Sequence, residues 1–151
     1  MKHISIILLT ALLLTVAGCK KEMEFHNDTH LANIATSDCL MKTDALAAKD
    51  MKLDSIAVTF TDGTLSVTHH NMLLDCGSGD NIVTTMQLMG DTVMVTENVG
   101  NQGQVDCLCL YNHSFQIVEP PLGLFTLVIM EECYYLGNLQ QRIVYQHQFY
   151  L

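Results

Sequence analysis

The sequence predicts an all-β protein, an antiparallel immunoglobulin-like β-sandwich formed by residues 53–151. Three observations support this prediction. Roughly eight short runs alternate apolar and polar residues at the period of a strand after Leu53. Turn dipeptides such as Asp62-Gly63 and Gly90-Asp91 separate several of these runs. None of the runs has the 3.6-residue apolar period of a helix. Short strands joined by tight turns bury one face each, which favours a sandwich or a barrel. The chain contains no Trp, so the likeness to immunoglobulins is one of architecture only.

The first residues are typical of an export signal rather than of the fold. Lys2 precedes a run of 13 mostly apolar residues, Ile4 to Val16, which is too short for a comfortable membrane span. Small residues then stand directly before Cys19, as in the lipobox of bacterial lipoproteins. We therefore expect residues 1–18 to be cleaved and Cys19 to be acylated, which predicts a bacterial cell-envelope location, in the outer membrane. An ordinary secretory signal with an incidental cysteine is the alternative.

Residues 19–52 are interpreted as a lipidated tether, because they have mixed charge, weak periodicity and no strong turn signals. The stretch from Asp44 to Met51 could form a short helix capped by Asp44, although one or two isolated helical turns are only marginally stable. The tether is expected to hold the β-domain clear of the lipid headgroups.

The net charge limits the partners of the protein. The formal charge is −9, and loss of Lys2 with the signal would make it −10, since Lys2 is the only Lys, Arg, Asp or Glu before Cys19. Phosphate contacts are made mainly by Lys and Arg, so a nucleic-acid partner is not expected. Membrane attachment is expected through acyl chains on Cys19. The remaining partner is expected to be an envelope protein or a glycan.

The strands can be assigned in order from their alternation. Ile56 to Phe60 is followed by a return strand with Leu65 and Val67, and Met72 to Cys76 resumes the alternation in the opposite phase. This phase change predicts a turn or a bulge at His69-His70-Asn71. The next strands contain Ile82 to Leu88 and Thr92 to Thr96, and a Gly/Asn-rich loop is predicted from Asn98 to Gln104.

A long half-buried strand then carries two cysteines. Its inward face is predicted to hold Val105, Cys107, Cys109, Tyr111, His113, Phe115 and Ile117, all in one phase. The Pro120-Pro121 turn leads to a strand from Leu124 to Met130, and a last strand contains Ile143 to Leu151.

The cysteine count predicts disulfides. If Cys19 is acylated, the five remaining cysteines allow at most two bridges, and exported proteins favour such bridges. A direct bridge between Cys107 and Cys109 would be strained, because neighbouring side chains on one strand face stand too far apart. We expect Cys76 to pair with Cys107 or Cys109. For a second bridge we expect Cys133 rather than Cys39, because Cys133 directly follows a strand.

A resemblance adds to this interpretation. The lipobox at Cys19, Leu73-Leu74-Asp75-Cys76, Gly90-Asp91-Thr92-Val93, Cys107-Leu108-Cys109-Leu110-Tyr111 and residues 123–129 look like the small uncharacterised lipoproteins of the Bacteroides type. The resemblance implies an envelope location and a β-sandwich. It carries over no catalytic or binding residue.

The sequence predicts a binding or accessory module rather than an enzyme. No Ser lies in a GxSxG context, and no carboxylate pair indicates an acid–base dyad, so no catalytic residue, cofactor or metal is predicted. Recognition is expected at loops around His69, His70 and Asn71, around Asn98, Asn101 and Gln102, and at Glu119 to Leu122. The competing hypothesis is a metal-binding or thiol-redox envelope protein that uses its His and Cys residues.

Overall fold

A computed structural model describes residues 28–44, 55–103 and 105–151 of the chain. The predicted signal peptide, Cys19 and nearly all of the predicted 44–51 helix lie outside these residues. The described part contains a short 3-10 turn, Gly79–Asn81, and no helix in it is long and apolar enough to cross a membrane. Its strands are β1 (His30–Thr36), β2 (Met41–Asp44), β3 (Ser55–Thr61), β4 (Thr64–Asp75), β5 (Val83–Met89), β6 (Thr92–Gln102), β7 (Cys107–Val118), β8 (Leu124–Tyr135) and β9 (Asn138–Tyr150).

The strands form two sheets, which confirms the predicted all-β, sandwich-like architecture. The first sheet has the order β1-β7-β4-β3, and β2 pairs with β7 beside β1. The second sheet has the order β5-β6-β8-β9. The predicted cysteine strand, β7, is an inner strand of the first sheet, where it pairs with β4 on one edge and with β1 and β2 on the other.

One strand pair departs from the antiparallel prediction. β6 and β8 run parallel, with Val93 opposite Leu127 and Val95 opposite Ile129. Parallel neighbours need a long crossover connection. Here β7 supplies it, because the chain leaves the second sheet after β6, passes through the first sheet as β7, and returns as β8.

The tether prediction is wrong for residues 30–44. They contain β1 and β2, and both strands add to the edge of β7. Sequence alternation is weak in β1 because its pairing with β7 shifts register between Ala32 and Ala35, where Asn33 has φ of 49°. A bulge of this kind breaks the period-two pattern by which strands are recognised. The folded domain therefore begins well before residue 53.

The apolar core lies between the sheets in two clusters. The larger cluster is made of fully buried residues from β4, β6, β7 and β8: Leu65, Val67, Val93, Val95, Phe115, Ile117, Phe125, Leu127 and Ile129. The smaller cluster contains Met72, Leu74, Val99, Cys109 and Tyr111. In β7 the predicted inward face is confirmed from Cys109 to Ile117, where every second residue is buried, although Leu110 between them is buried as well. The prediction is wrong for Val105, which is 47% exposed before the strand begins.

The phase change at the histidine pair is a β-bulge inside one strand. The pairing of β4 with β7 shifts register between His69 and Met72, and Asn71 has φ of 58°. The two short strands predicted on either side of this point are therefore one continuous strand. The bulge lets Leu65, Val67 and His69 face the core before it, and Met72 and Leu74 after it.

Candidate functional site

Buried polar side chains form a cluster between the two sheets. His69 on β4, Glu97 on β6 and His113 on β7 are all fully buried. His69 and His113 stand directly opposite each other in the first sheet, and His69 Nδ1 is hydrogen-bonded to Glu97 Oε2 across the core at 2.7 Å. Among the described residues Glu97 Oε1 has no hydrogen-bond partner. A buried carboxylate needs such a partner, because its charge is otherwise very costly to desolvate.

His113 is held by two threonine hydroxyls. Its Nδ1 lies 2.9 Å from Thr36 Oγ1 on β1, and its Nε2 lies 2.7 Å from Thr84 Oγ1 on β5. Burial lowers the pKa of His113; the nearby Glu97 carboxylate acts in the opposite direction, and His69 lowers the pKa further. A neutral imidazole can donate through one nitrogen and accept through the other, so both hydroxyls are satisfied by the neutral form.

The ring nitrogens of the two buried histidines form hydrogen bonds within the protein. Both ring nitrogens of His113 already bond threonine hydroxyls, and the Nδ1 of His69 bonds Glu97. In residues 28–44, 55–103 and 105–151 no group of three or more His, Cys, Asp or Glu side chains is arranged to hold a metal ion. His147 does not join the cluster, since it is exposed on β9.

Two disulfides fasten β7 to its neighbours. Cys76 pairs with Cys107, which confirms the first predicted bridge, and Cys109 pairs with Cys39. The prediction that Cys133 forms the second bridge is wrong, because Cys133 lies on β8 in the opposite sheet and is a free thiol. Cys39 precedes β2, whose pairing places Lys42 opposite Cys109. The pairing of β1 and β2 with β7 thus places Cys39 next to Cys109.

An open cavity lies at one end of the sandwich, where β4, β6 and β8 end and β7 begins. We call it the end pocket; its volume is about 390 Å³. Its described lining residues are Leu73, Leu74, Asp75, Val99, Gln102, Gly103, Val105, Asp106, Leu108, Glu131, Cys133 and Tyr135. Ligand sites usually have a mainly apolar lining with a few polar groups, and this wall has that character.

The wall of the end pocket is fixed by three close contacts. The Gln102 Oε1 accepts a hydrogen bond of 2.7 Å from the Asp75 backbone N–H, and Gln102 Nε2 donates to Val99 O at 2.7 Å. The Tyr135 ring lies against Gly103, where an added Cβ would come within 2.6 Å of the ring. Gly103 also has φ of +77°, so a side chain there would be strained as well as crowded. The pocket therefore has a defined shape on these sides.

Cys133 on this wall is not an activated thiol. Burial and the neighbouring Glu131 carboxylate raise its pKa, while Arg142 acts in the opposite direction. The Arg142 Nη2 lies 3.0 Å from Glu131 Oε2. Reactive thiols have a lowered pKa and a net positive surrounding, so the surroundings of Cys133 do not favour redox catalysis.

The loops predicted for recognition are mostly strands. His69 is fully buried, and His70 and Asn71 are half-buried within β4. Asn98, Asn101 and Gln102 belong to β6, which pairs with β8 as far as Tyr135. The Gly/Asn content that predicts a loop forms a bulge instead, between Asn98 and Asn101, where Gly100 has φ of +71°.

The three predicted loops also do not share one end of the sandwich. Glu119 to Leu122 connects β7 to β8 beside the Asp62-Gly63 turn, as shown by the hydrogen bond of 3.2 Å from Glu119 N to Gly63 O. Gln102 lies at the opposite end, near Asp75. A single recognition surface made of these segments is therefore excluded by the topology.

Two residues of the site were missed by the sequence interpretation, although a signal existed for one. Glu97 is in phase with Val93, Val95 and Val99, so a charge on an inward apolar face was visible in the alternation of β6. Gln102 had no such signal, because the bulge after Asn98 reverses the phase of the strand.

Comparisons with known proteins give no family for the chain. No protein-family model matches it, and no curated protein or solved structure is significantly similar to it.

Proposed function

We propose that this chain is a lipid-anchored β-sandwich lipoprotein of the bacterial cell envelope, and that it serves as a non-enzymatic binding or accessory module. The short apolar segment and the small residues before Cys19 support export and acylation. The resemblance to Bacteroides-type lipoproteins supports the same location. Acyl chains on Cys19 would supply the membrane contact, in the outer membrane.

The end pocket is the main structural support for the proposed binding function. Its volume of about 390 Å³ falls in the range of small-molecule sites, which are roughly 300–1,000 Å³. It combines apolar side chains such as Leu73 and Val99 with the polar Asp75 and Gln102. Cys133 is its only Cys among the described lining residues, no Ser or His lies there, and the raised pKa of Cys133 does not suit a nucleophile. The lining therefore favours binding over catalysis.

The competing function, metal binding or thiol-redox chemistry, is less well supported by the same geometry. The buried histidines use their nitrogens on Thr36, Thr84 and Glu97. Four of the cysteines form two disulfides, which join β7 to the segment before β2 and to the segment after β4. Purified protein that binds Zn²⁺ or Cu²⁺ with a stoichiometry of one, or that reduces a test disulfide, would favour this alternative.

The anchor can be tested by a single substitution. In Cys19→Ser the acceptor of the acyl chains is removed, so the protein should move from the membrane fraction to the soluble fraction. Fractionation with immunoblotting measures this change. Cys133→Ser is the matched control, because it makes the same replacement at a cysteine that is a free thiol, and it should stay with the membrane. Firm membrane binding of Cys19→Ser would disprove the lipid anchor.

The binding function can be tested by obstructing the pocket. Val105 lines the pocket and is 47% exposed, so Val105→Trp should reduce the cavity without disturbing the core. Val83→Trp on β5, at a residue that is 58% exposed and lies outside the pocket, is the control. Both variants should unfold at the wild-type temperature. Complementation of a deletion strain should fail only for Val105→Trp; full complementation by it would remove the end pocket from the function.

A further inference from the structure

The charged groups among the described lining residues of the end pocket are all acidic. Asp75, Asp106 and Glu131 line it, and no Lys, Arg or His is among its described lining residues. The rest of the wall is mostly apolar, and includes Leu73, Leu74, Val99, Val105 and Leu108. A concave site with low-dielectric walls and charges of one sign concentrates the opposite charge.

The three carboxylates differ in their exposure to solvent and in their pairing with positive charge. Glu131 pairs with Arg142 at 3.0 Å, so its charge is offset in part. Asp106 is exposed at the mouth of the pocket. Asp75 is only 5% exposed, and its backbone N–H donates a hydrogen bond to Gln102. Asp106 is thus the carboxylate that is most open to an arriving ligand.

The aromatic ring of Tyr135 adds a second feature that favours a cation. The ring is held over Gly103 and forms part of the wall beside Cys133. The face of a tyrosine ring attracts an ammonium group, most strongly where water is partly excluded. Negative charge, an aromatic ring and an apolar wall therefore occur in one cavity.

We infer that the end pocket binds a small organic amine, in which a cationic ammonium group is joined to an apolar body. The ammonium group is recognised by Asp106 and by the Tyr135 ring, and the apolar body packs against Leu73, Val99 and Leu108. Charge complementarity selects this ligand over an organic acid of the same shape. The inference rests on the proposed binding function and specifies its ligand class.

The free thiol of Cys133 is a built-in reporter of the charge in the pocket. Methanethiosulfonate reagents react with a thiolate to give a mixed disulfide and release methanesulfinate. The trimethylammonium-ethyl reagent is cationic and the sulfonatoethyl reagent is anionic. The ratio of their rate constants is independent of the thiolate fraction, since both react with the same species. Peptide mass spectrometry follows Cys133 alone, in the full protein purified from membranes in non-ionic detergent.

The rate ratio at Cys133 should exceed that of the urea-unfolded chain by about tenfold or more, as expected for a charged cleft. Asp106→Asn should lower the ratio several-fold, and Arg142→Gln should raise it, because the first removes a negative charge and the second a positive one. Asp91→Asn, in the turn before β6 and outside the pocket, should leave it unchanged. A ratio equal to that of the unfolded chain would overturn the inference.

Ligand protection separates the ligand class from the binding function. Hexylamine, hexanol and hexanoate have the same apolar chain and differ in the head group. Hexylamine should slow the reaction of Cys133 with uncharged methyl methanethiosulfonate at a concentration at least about tenfold lower than hexanol, and hexanoate should protect least. Equal protection by hexylamine and hexanol would refute recognition of the ammonium group while leaving a binding pocket in place. If none of the three protects Cys133 and Val105→Trp complements fully, the inference and the proposed function both fail.

Discussion

The residues with the largest expected effect on stability are His69 and Glu97. Their hydrogen bond of 2.7 Å crosses the core, and both side chains are fully buried. Removing one member of a buried charged pair leaves the other without compensation, whereas replacing both with apolar groups is often neutral or stabilising. The stability of the domain therefore depends on keeping the two residues together more than on either residue alone.

A double-substitution series tests this dependence. His69→Leu should lower the free energy of unfolding by about 3 kcal/mol or more, because it leaves the Glu97 carboxylate buried without its histidine. The combination of His69→Leu with Glu97→Met should recover most of this loss. Chemical denaturation at pH 7 measures both values. A double variant that is as unstable as His69→Leu would show that the pair contributes through packing alone.

His113 should make stability depend on pH. Burial lowers its pKa in the folded protein from the ordinary value of 6.5. Above pH 6.5 the imidazole is neutral in both states, and as the pH falls below 6.5 the unfolded chain takes up the proton first. Stability is then lost with falling pH. The unfolding temperature should fall less between pH 7.5 and 5.5 in His113→Gln than in the wild type. His147→Gln, at an exposed position, should behave as the wild type; equal slopes in all three would contradict the assignment.

At the scale of elements, β7 shows how far the sequence could predict the fold. Its alternation predicted the buried face from Cys109 to Ile117, since successive side chains of a strand point to opposite faces of the sheet. The disulfide partner of Cys109 could not be predicted in the same way. Cys39 is 70 residues away, and it reaches β7 through β1 and β2, whose weak alternation gave no strand signal. Pairing between distant segments is not encoded in local periodicity.

The two bridges of β7 should be detectable and should contribute strongly to stability. Non-reducing peptide mapping should find Cys39 with Cys109, Cys76 with Cys107, and Cys133 free. Replacing Cys39 and Cys109 together with Ser should lower the free energy of unfolding by roughly 4 kcal/mol in the chain-entropy model. Cys133→Ser is the control and should cost much less. Recovery of a bridge that contains Cys133 would contradict the strand arrangement around β7.

At the scale of the whole molecule, the first two strands decide where the domain begins. Sequence alternation placed its start at residue 53, yet β1 and β2 cover the edge of β7 opposite β4. They also supply Thr36 to His113 and Cys39 to Cys109, and Leu31 packs against the larger core cluster. Without them the inner strand β7 becomes an edge strand with unpaired backbone groups, which favours aggregation.

Truncation provides the test of this boundary. A chain of residues 53–151 retains seven of the nine described strands, but it loses the partners of His113 and Cys109 on β1 and before β2. It should therefore unfold at a much lower temperature than a chain of residues 28–151, or aggregate when expressed in an oxidising compartment. Adding Cys109→Ser to the shorter chain removes the unpaired thiol and separates its chemistry from the loss of the strands. Because the unpaired edge of β7 remains, this variant should still be far less stable than residues 28–151. If it instead unfolds at the same temperature as the longer chain, β1 and β2 are accessory strands, and the domain begins where the sequence alternation placed it.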